Sequence, residues 1–123
     1  GAIRLLAAVP QTPLGEHRPQ NLILYWQAKV PLVADYTVFI HLRTAGGVVV
    51  AQADGPPVEQ HFPTTAWQPG DVVQDIHPLP DGDLSDIDHA AVGLYNPATG
   101  ERLPAFGPDG RRLDGDAVML PFW

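Results

Sequence analysis

The chain has no cysteine and a single serine, and it carries only seven Lys and Arg. Each shortage removes a class of chemistry. Without cysteine there are no disulfides, no zinc–thiolate centres and no thiol nucleophile. The one serine, Ser85, lies in the acidic run Asp81-Gly82-Asp83-Leu84-Ser85-Asp86-Ile87-Asp88, where neighbouring carboxylates oppose an alkoxide, and no G-x-S-x-G is present. Against fourteen Asp and Glu the few cations leave a net charge of -7, and only Arg111 and Arg112 are adjacent. Binding to nucleic acid needs clustered cations, so that class of partner is excluded, and an anionic membrane surface is disfavoured for the same reason. No run approaches the ~20 apolar residues of a membrane helix, so this segment does not insert directly, and no signal peptide is present.

What is present is material for one core. A chain of 123 residues, 45% hydrophobic and 17% charged, is a single globular domain that buries about two-thirds of its unfolded surface. It opens Gly1-Ala2 without methionine, which reads as a cloning remnant on a domain excised from a larger protein. Period-2 alternation dominates, the mark of half-buried strands. It places Leu22, Leu24 and Trp26 on one face of 21–28, and Tyr36, Val38, Ile40 and Leu42 on one face of 36–43. Further strands are expected at 3–9, 48–53, 72–77, 90–95, 101–103 and 117–122, about eight in all.

Turn chemistry separates these runs. Ala45-Gly46-Gly47 suits a hairpin, Pro69-Gly70 fits the centre of a type II turn, and Asn96-Pro97-Ala98-Thr99-Gly100 ends on a glycine suited to positive φ. Pro108-Asp109-Gly110 repeats that device. Fourteen prolines break every window long enough for a helix. The expected fold is therefore all-β, a two-sheet antiparallel sandwich of the immunoglobulin-like kind, with a jelly roll as the alternative.

Four segments, LILYWQAKVPLVADYTVFIHL, VVAQADGPP, FPTTAWQPGDVVQD and VGLYNPATGERLP, carry a resemblance that spans about residues 22–104. Together they resemble a small, uncharacterised β-sandwich domain, usually outside the membrane, of bacterial multi-spanning proteins similar to glycosyltransferases of the protein mannosyltransferase type. The chain departs from that pattern where the acidic run ends Ile87-Asp88-His89-Ala90, in place of a Pro-Gly turn. The resemblance implies an extracytoplasmic or membrane-associated setting through a parent protein, whose other domains or a cell-surface partner would be the binding partners. It supplies no catalytic residue.

The residues themselves point the same way. Asp71 and Asp75 are four apart on a strand, about 13 Å, too far for the carboxylate pair of a glycosidase, which spans about 5–10 Å. The five histidines show no H-x-H or H-E-x-x-H, and His41 reads as a hydrogen-bonded structural residue. Asp81, Asp83, Asp86 and Asp88 offer oxygen ligands for calcium, although the EF-hand spacing is missing and a solvated loop is the usual meaning of such a run. Trp26 belongs with its apolar neighbours. Trp67, three residues before the Pro69-Gly70 turn's glycine, is expected to plug the end of the sandwich. Trp123 is the third tryptophan. The function expected is a non-catalytic accessory domain, a spacer or an interaction surface, with no cofactor beyond that calcium. The alternative is a carbohydrate-binding module in which Trp67, Tyr95 or Tyr25 stacks on a sugar.

Overall fold

The computed structural model describes residues 2–107 and 109–122. Gly1, Pro108 of the last expected turn, and Trp123 therefore lie outside the described residues. Among the described residues seven strands are formed: β1 (Ile3–Gln11), β2 (Asn21–Ala28), β3 (Thr37–Arg43), β4 (Val49–Gln52), β5 (Val72–Pro78), β6 (His89–Tyr95) and β7 (Val118–Pro121). They make two antiparallel sheets, ordered β1-β2-β5 and β4-β3-β6-β7. The fold is the expected all-β sandwich of immunoglobulin-like strand order, and no α-helix occurs among the described residues. The strand expected at 101–103 is only a bridge, Tyr95 to Arg102. Pro104 follows directly and has no N–H to extend the ladder.

The core lies between the sheets and follows the strand periodicity. Leu22, Leu24, Trp26 and Ala28 of β2 face Val38, Ile40 and Leu42 of β3 and Ala90, Val92 and Leu94 of β6. Trp67 joins them at 1% exposure. Its placement is built locally. The Thr64 hydroxyl donates to Ala34 O at 2.7 Å and accepts from Tyr36 N at 3.0 Å. Asp35 accepts from the Thr65 hydroxyl at 2.6 Å, so the chain before Trp67 is stapled to the entry of β3. Beyond it, Gly70 takes φ 91° and donates to Ala28 O at 2.8 Å. The indole is thus held inside, with Nε1 donating to Phe62 O at 2.9 Å. Trp67 closes the core.

On the outer side of the four-stranded sheet a second, smaller cluster forms from Phe39, Ala91 and Ala117, with Tyr95 against it. The Phe39 ring packs against Gly93, its partner in register. A Cβ at position 93 would stand 2.4 Å from Phe39 Cζ and 2.7 Å from Asp116 O, closer than any carbon tolerates. The Arg102 guanidinium lies over the ring, 4.2 Å from its centroid, and donates to Gly115 O at 2.8 Å. Two bonds from Arg112, both 2.8 Å, fix Asp116 and pull its carboxyl down to about 2.

Two substitutions separate these clusters. Trp67→Ala should cost roughly 3–5 kcal/mol through the cavity left in the main core. Gly93→Ala should cost about 1–3 kcal/mol by displacing Phe39. Urea midpoints measure both, and an unchanged midpoint for Trp67→Ala would remove the indole from its role as a plug.

Candidate functional site

β5 decides what the molecule shows to solvent. Its sequence, Val72-Val73-Gln74-Asp75-Ile76-His77-Pro78, carries apolar residues on both parities. The parity with more polar groups is the one that turns inward: Val73, Asp75 and His77 are buried, while Val72 is 57% and Ile76 45% exposed. A carboxylate enters a core only when it is fully bonded. Asp75, at 0% exposure, meets that condition. Its Oδ1 accepts from Val58 N at 2.8 Å and its Oδ2 from Trp26 Nε1 at 3.1 Å. His77 Nε2 stands 2.6 Å from the same Oδ2, the length of a charge-assisted bond when Nε2 carries the proton.

The bond to Val58 anchors a strained segment. Val58, Glu59 and Gln60 take φ of 51°, 52° and 72° in succession. β-branched Val58 in the left-handed region is a rare conformation that persists only where surrounding structure imposes it. Beside this turn runs an open groove of about 460 Å³, lined by Asp54, Gly55, Glu59, His77 and Asp81 among others. An Asp–His pair at a groove is a familiar start for nucleophilic chemistry, but none of the lining residues is Ser, Thr, Cys or Lys. The pair is used in holding Val58 and Trp26. Geometry gives it a structural task.

The residues expected to bind sugar are scattered. Trp67 is inside the core and offers no open face, which corrects its place in the stacking set. Tyr95 packs against the Phe39 cluster. Tyr25 alone lies at the centre of an outer sheet face, between Ala7 of β1 and Gln74 of β5 in register. Gln74 Nε2 donates to its hydroxyl at 3.0 Å.

That face is unusual in this acidic chain. Among the residues of β1, β2 and β5 the only carboxylate is Asp75, which points inward. Val9, Ile23 and Ile76 form one row across the three strands, and Arg4, Gln27 and Val72 form another. Leu6, at the β1 register shift, and Val9 are exposed beside them. The amides are tied to one another or to backbone: Asn21 Nδ2 donates to Gln11 at 3.0 Å, and Gln27 Nε2 to Gly70 O at 3.2 Å. The result is a flat, nearly neutral surface of aliphatic, amide and tyrosine groups.

Asp81, Asp83, Asp86 and Asp88 of the acidic run lie on the connection between β5 and β6. Among the described residues no group of three or more His, Asp or Glu side chains is placed to hold a metal ion. The carboxylates are dealt with singly, as mutual repulsion favours. Asp83 accepts from Ser85 N at 2.9 Å, a bond that holds its carboxyl below the usual range. Asp88 pairs with His89 at 3.0 Å, and Asp81 lies 3.7 Å from Arg18. Asp86 is exposed. Arg18 also donates to Gly82 O and Pro80 O, and buried Ile87 anchors the loop from below. His41 is partly buried beside Asp54, as a structural histidine would be.

The importance of Asp75 and His77 was not visible in the chain order. Their i, i+2 spacing puts them on one face, but Val72 and Ile76 make the opposite face the better candidate for burial. Comparisons with protein-family models, with curated proteins and with solved structures returned no match.

Asp75→Asn should be severe. The amide offers one acceptor to three converging donors and turns its own N–H groups against them, so about 3–5 kcal/mol should be lost. Chemical denaturation would measure this, and hydrogen exchange should show 58–61 opening first. A shift below about 1 kcal/mol would mean that the carboxylate does not organise the core.

Proposed function

We propose that this chain is a non-catalytic accessory domain of a larger membrane-anchored or extracytoplasmic protein, and that the outer face of β1-β2-β5 is its interaction surface. One observation carries the reading: β5 puts Asp75 and His77 inside and leaves Val72 and Ile76 in solvent. A strand arranged this way exposes apolar surface that the opposite parity would have buried. Such surface marks sites of association when it is contiguous, and here it continues through Ile23, Val9 and Leu6. The absence of carboxylates on these outward positions removes the desolvation cost that an acidic partner face would carry. The setting outside the membrane rests on the family resemblance, and the partner is then another domain of the parent protein or a neighbour at the cell surface.

A second reading is favoured by a different detail. Tyr25 lies beside Gln74, with Gln27 next on the same face of β2, and a ring with flanking amides is the chemistry of sugar recognition. The two readings share a face and differ in occupant.

A photo-crosslinking residue placed at Ile76, with one at Met119 on the opposite sheet as control, tests the proposal in the intact parent protein. Position 76 should give a defined cross-link to a neighbouring domain or subunit, and position 119 should not. Equal labelling from both positions would overturn the assignment of the face. No protein cross-link at 76, together with polysaccharide retention that Tyr25→Ala abolishes, would transfer the face to the carbohydrate reading.

A further inference from the structure

The groove beside β5 contains a polar atom that the sandwich does not use. His77 lines the groove with only 5% of its side chain exposed. Its Nε2 is committed to Asp75 Oδ2 at 2.6 Å, while Nδ1 makes no hydrogen bond with the described residues. Among those residues Arg43 Nε is the one side-chain nitrogen or oxygen both sealed from solvent and unbonded. The unbonded Nδ1 is therefore not sealed, and it opens on the groove. It faces Gly55, where a Cβ would stand 3.9 Å from Nδ1. Glycine at that position leaves the approach clear.

Asp75 determines what Nδ1 offers. A carboxylate only accepts, so Nε2 carries the proton between them, and on a neutral ring Nδ1 is then a bare acceptor. The other two donors to Asp75, Val58 N and Trp26 Nε1, are uncharged, and Asp75 forms no ion pair with Lys or Arg. Hydrogen bonds in series polarise one another, so its negative charge strengthens Nδ1 as an acceptor. The walls agree in sign. Asp54 and Glu59 line the groove, and no Lys or Arg does. Glu59 forms no hydrogen bond or ion pair with the described residues, and Asp54 Oδ2 faces only His41, at 3.7 Å. Asp81 contributes less, because Arg18 lies 3.7 Å from it. Pro56, Ile76 and Pro78 supply apolar wall.

We propose that this groove binds an alkylammonium group, the end of a lysine side chain on a partner polypeptide, with His77 Nδ1 and the Glu59 carboxylate as its acceptors. An ammonium directs three donors from one atom towards acceptors on separate walls, whereas a guanidinium asks for a coplanar pair. The apolar wall suits the aliphatic stem, which lysine buries readily along such surface. The net charge of -7 draws a cation towards the site. Ile76 belongs both to the groove and to the outer row of β1-β2-β5, so a partner seated on that face has the groove at its edge. The polypeptide carrier rests on the interaction surface proposed above, and the ammonium site does not.

The test is a titration of the chain with Nα-acetyl-lysine methylamide and, separately, with the norleucine analogue, which keeps the stem and lacks the charge. Ionic strength is held constant, and backbone amide and His77 ring-nitrogen resonances are followed. Nδ1 should resonate as an unprotonated nitrogen in the free protein. The lysine probe alone should move it to saturation, together with the amides of Gly55 and Glu59. Glu59→Gln should weaken binding about two- to fivefold, the loss expected for an exposed ion pair. Gly55→Val sets a branched side chain against Nδ1 at a position outside the left-handed region, and should abolish saturation with the urea midpoint maintained. A protonated Nδ1 in the free protein at neutral pH, equal responses to the two probes, or undiminished binding in folded Gly55→Val would overturn the proposal. Saturation by the lysine probe without a cross-link at position 76 would keep the ammonium site and remove the polypeptide carrier. A cross-link at 76 without saturation would remove the ammonium site and keep the interaction surface.

Discussion

The buried carboxylate of Asp75 is the constraint on which the rest of the sandwich depends. It sits on β5, accepts from Trp26 on the neighbouring strand, and accepts from Val58 in the loop that leads from one sheet to the other. That loop is held to the opposite sheet as well, where Gly55 and Val38 exchange two backbone bonds of 3.0 Å. The segment from Gly55 to Val58 is thus tied to β3 on one side and to β5 on the other. An unpaired carboxylate in this position would be prohibitive. With three donors it becomes a joint between the sheets, and it stabilises a left-handed turn that Val58 and Glu59 would otherwise avoid.

The same choice fixes the exterior. Because strand parity has period 2, turning Asp75 inward necessarily turns Val72, Gln74 and Ile76 outward. The polar joint and the apolar outer row are therefore one decision. Little else could cover Val72 and Ile76, since β5 is an edge strand of its sheet and its outer face has no layer above it. The exposed row is in this sense the structural counterpart of the buried acid.

How much of this the chain order reveals depends on whether the deciding contact is local. β2 was legible because Leu22, Leu24 and Trp26 share one parity and Asn21, Tyr25 and Gln27 the other. The turns at Gly47, Gly70 and Gly100 were legible because positive φ is a local demand, and the position of Trp67 followed from the turn after it. β5 was not. Its two parities differ little in apolar content, and the tie is broken by an indole N–H that lies 49 residues away. The conformation of the acidic loop was not legible for a similar reason: Arg18, which donates to Gly82 O and Pro80 O, comes more than sixty positions earlier.

The distribution of charge ties the two outer faces together. Of fourteen carboxylates, one lies on β1, β2 or β5, and it is buried. The strands β3, β4, β6 and β7 hold none, and their outward positions gather His41, Arg43 and His89. The acids are confined to loops and connections, where water solvates them at little cost. The strand positions of two broad faces thereby carry no outward carboxylate while the molecule as a whole remains strongly anionic. Long-range repulsion keeps such molecules apart, and contact with the outer face of β1-β2-β5 meets no carboxylate on its strands.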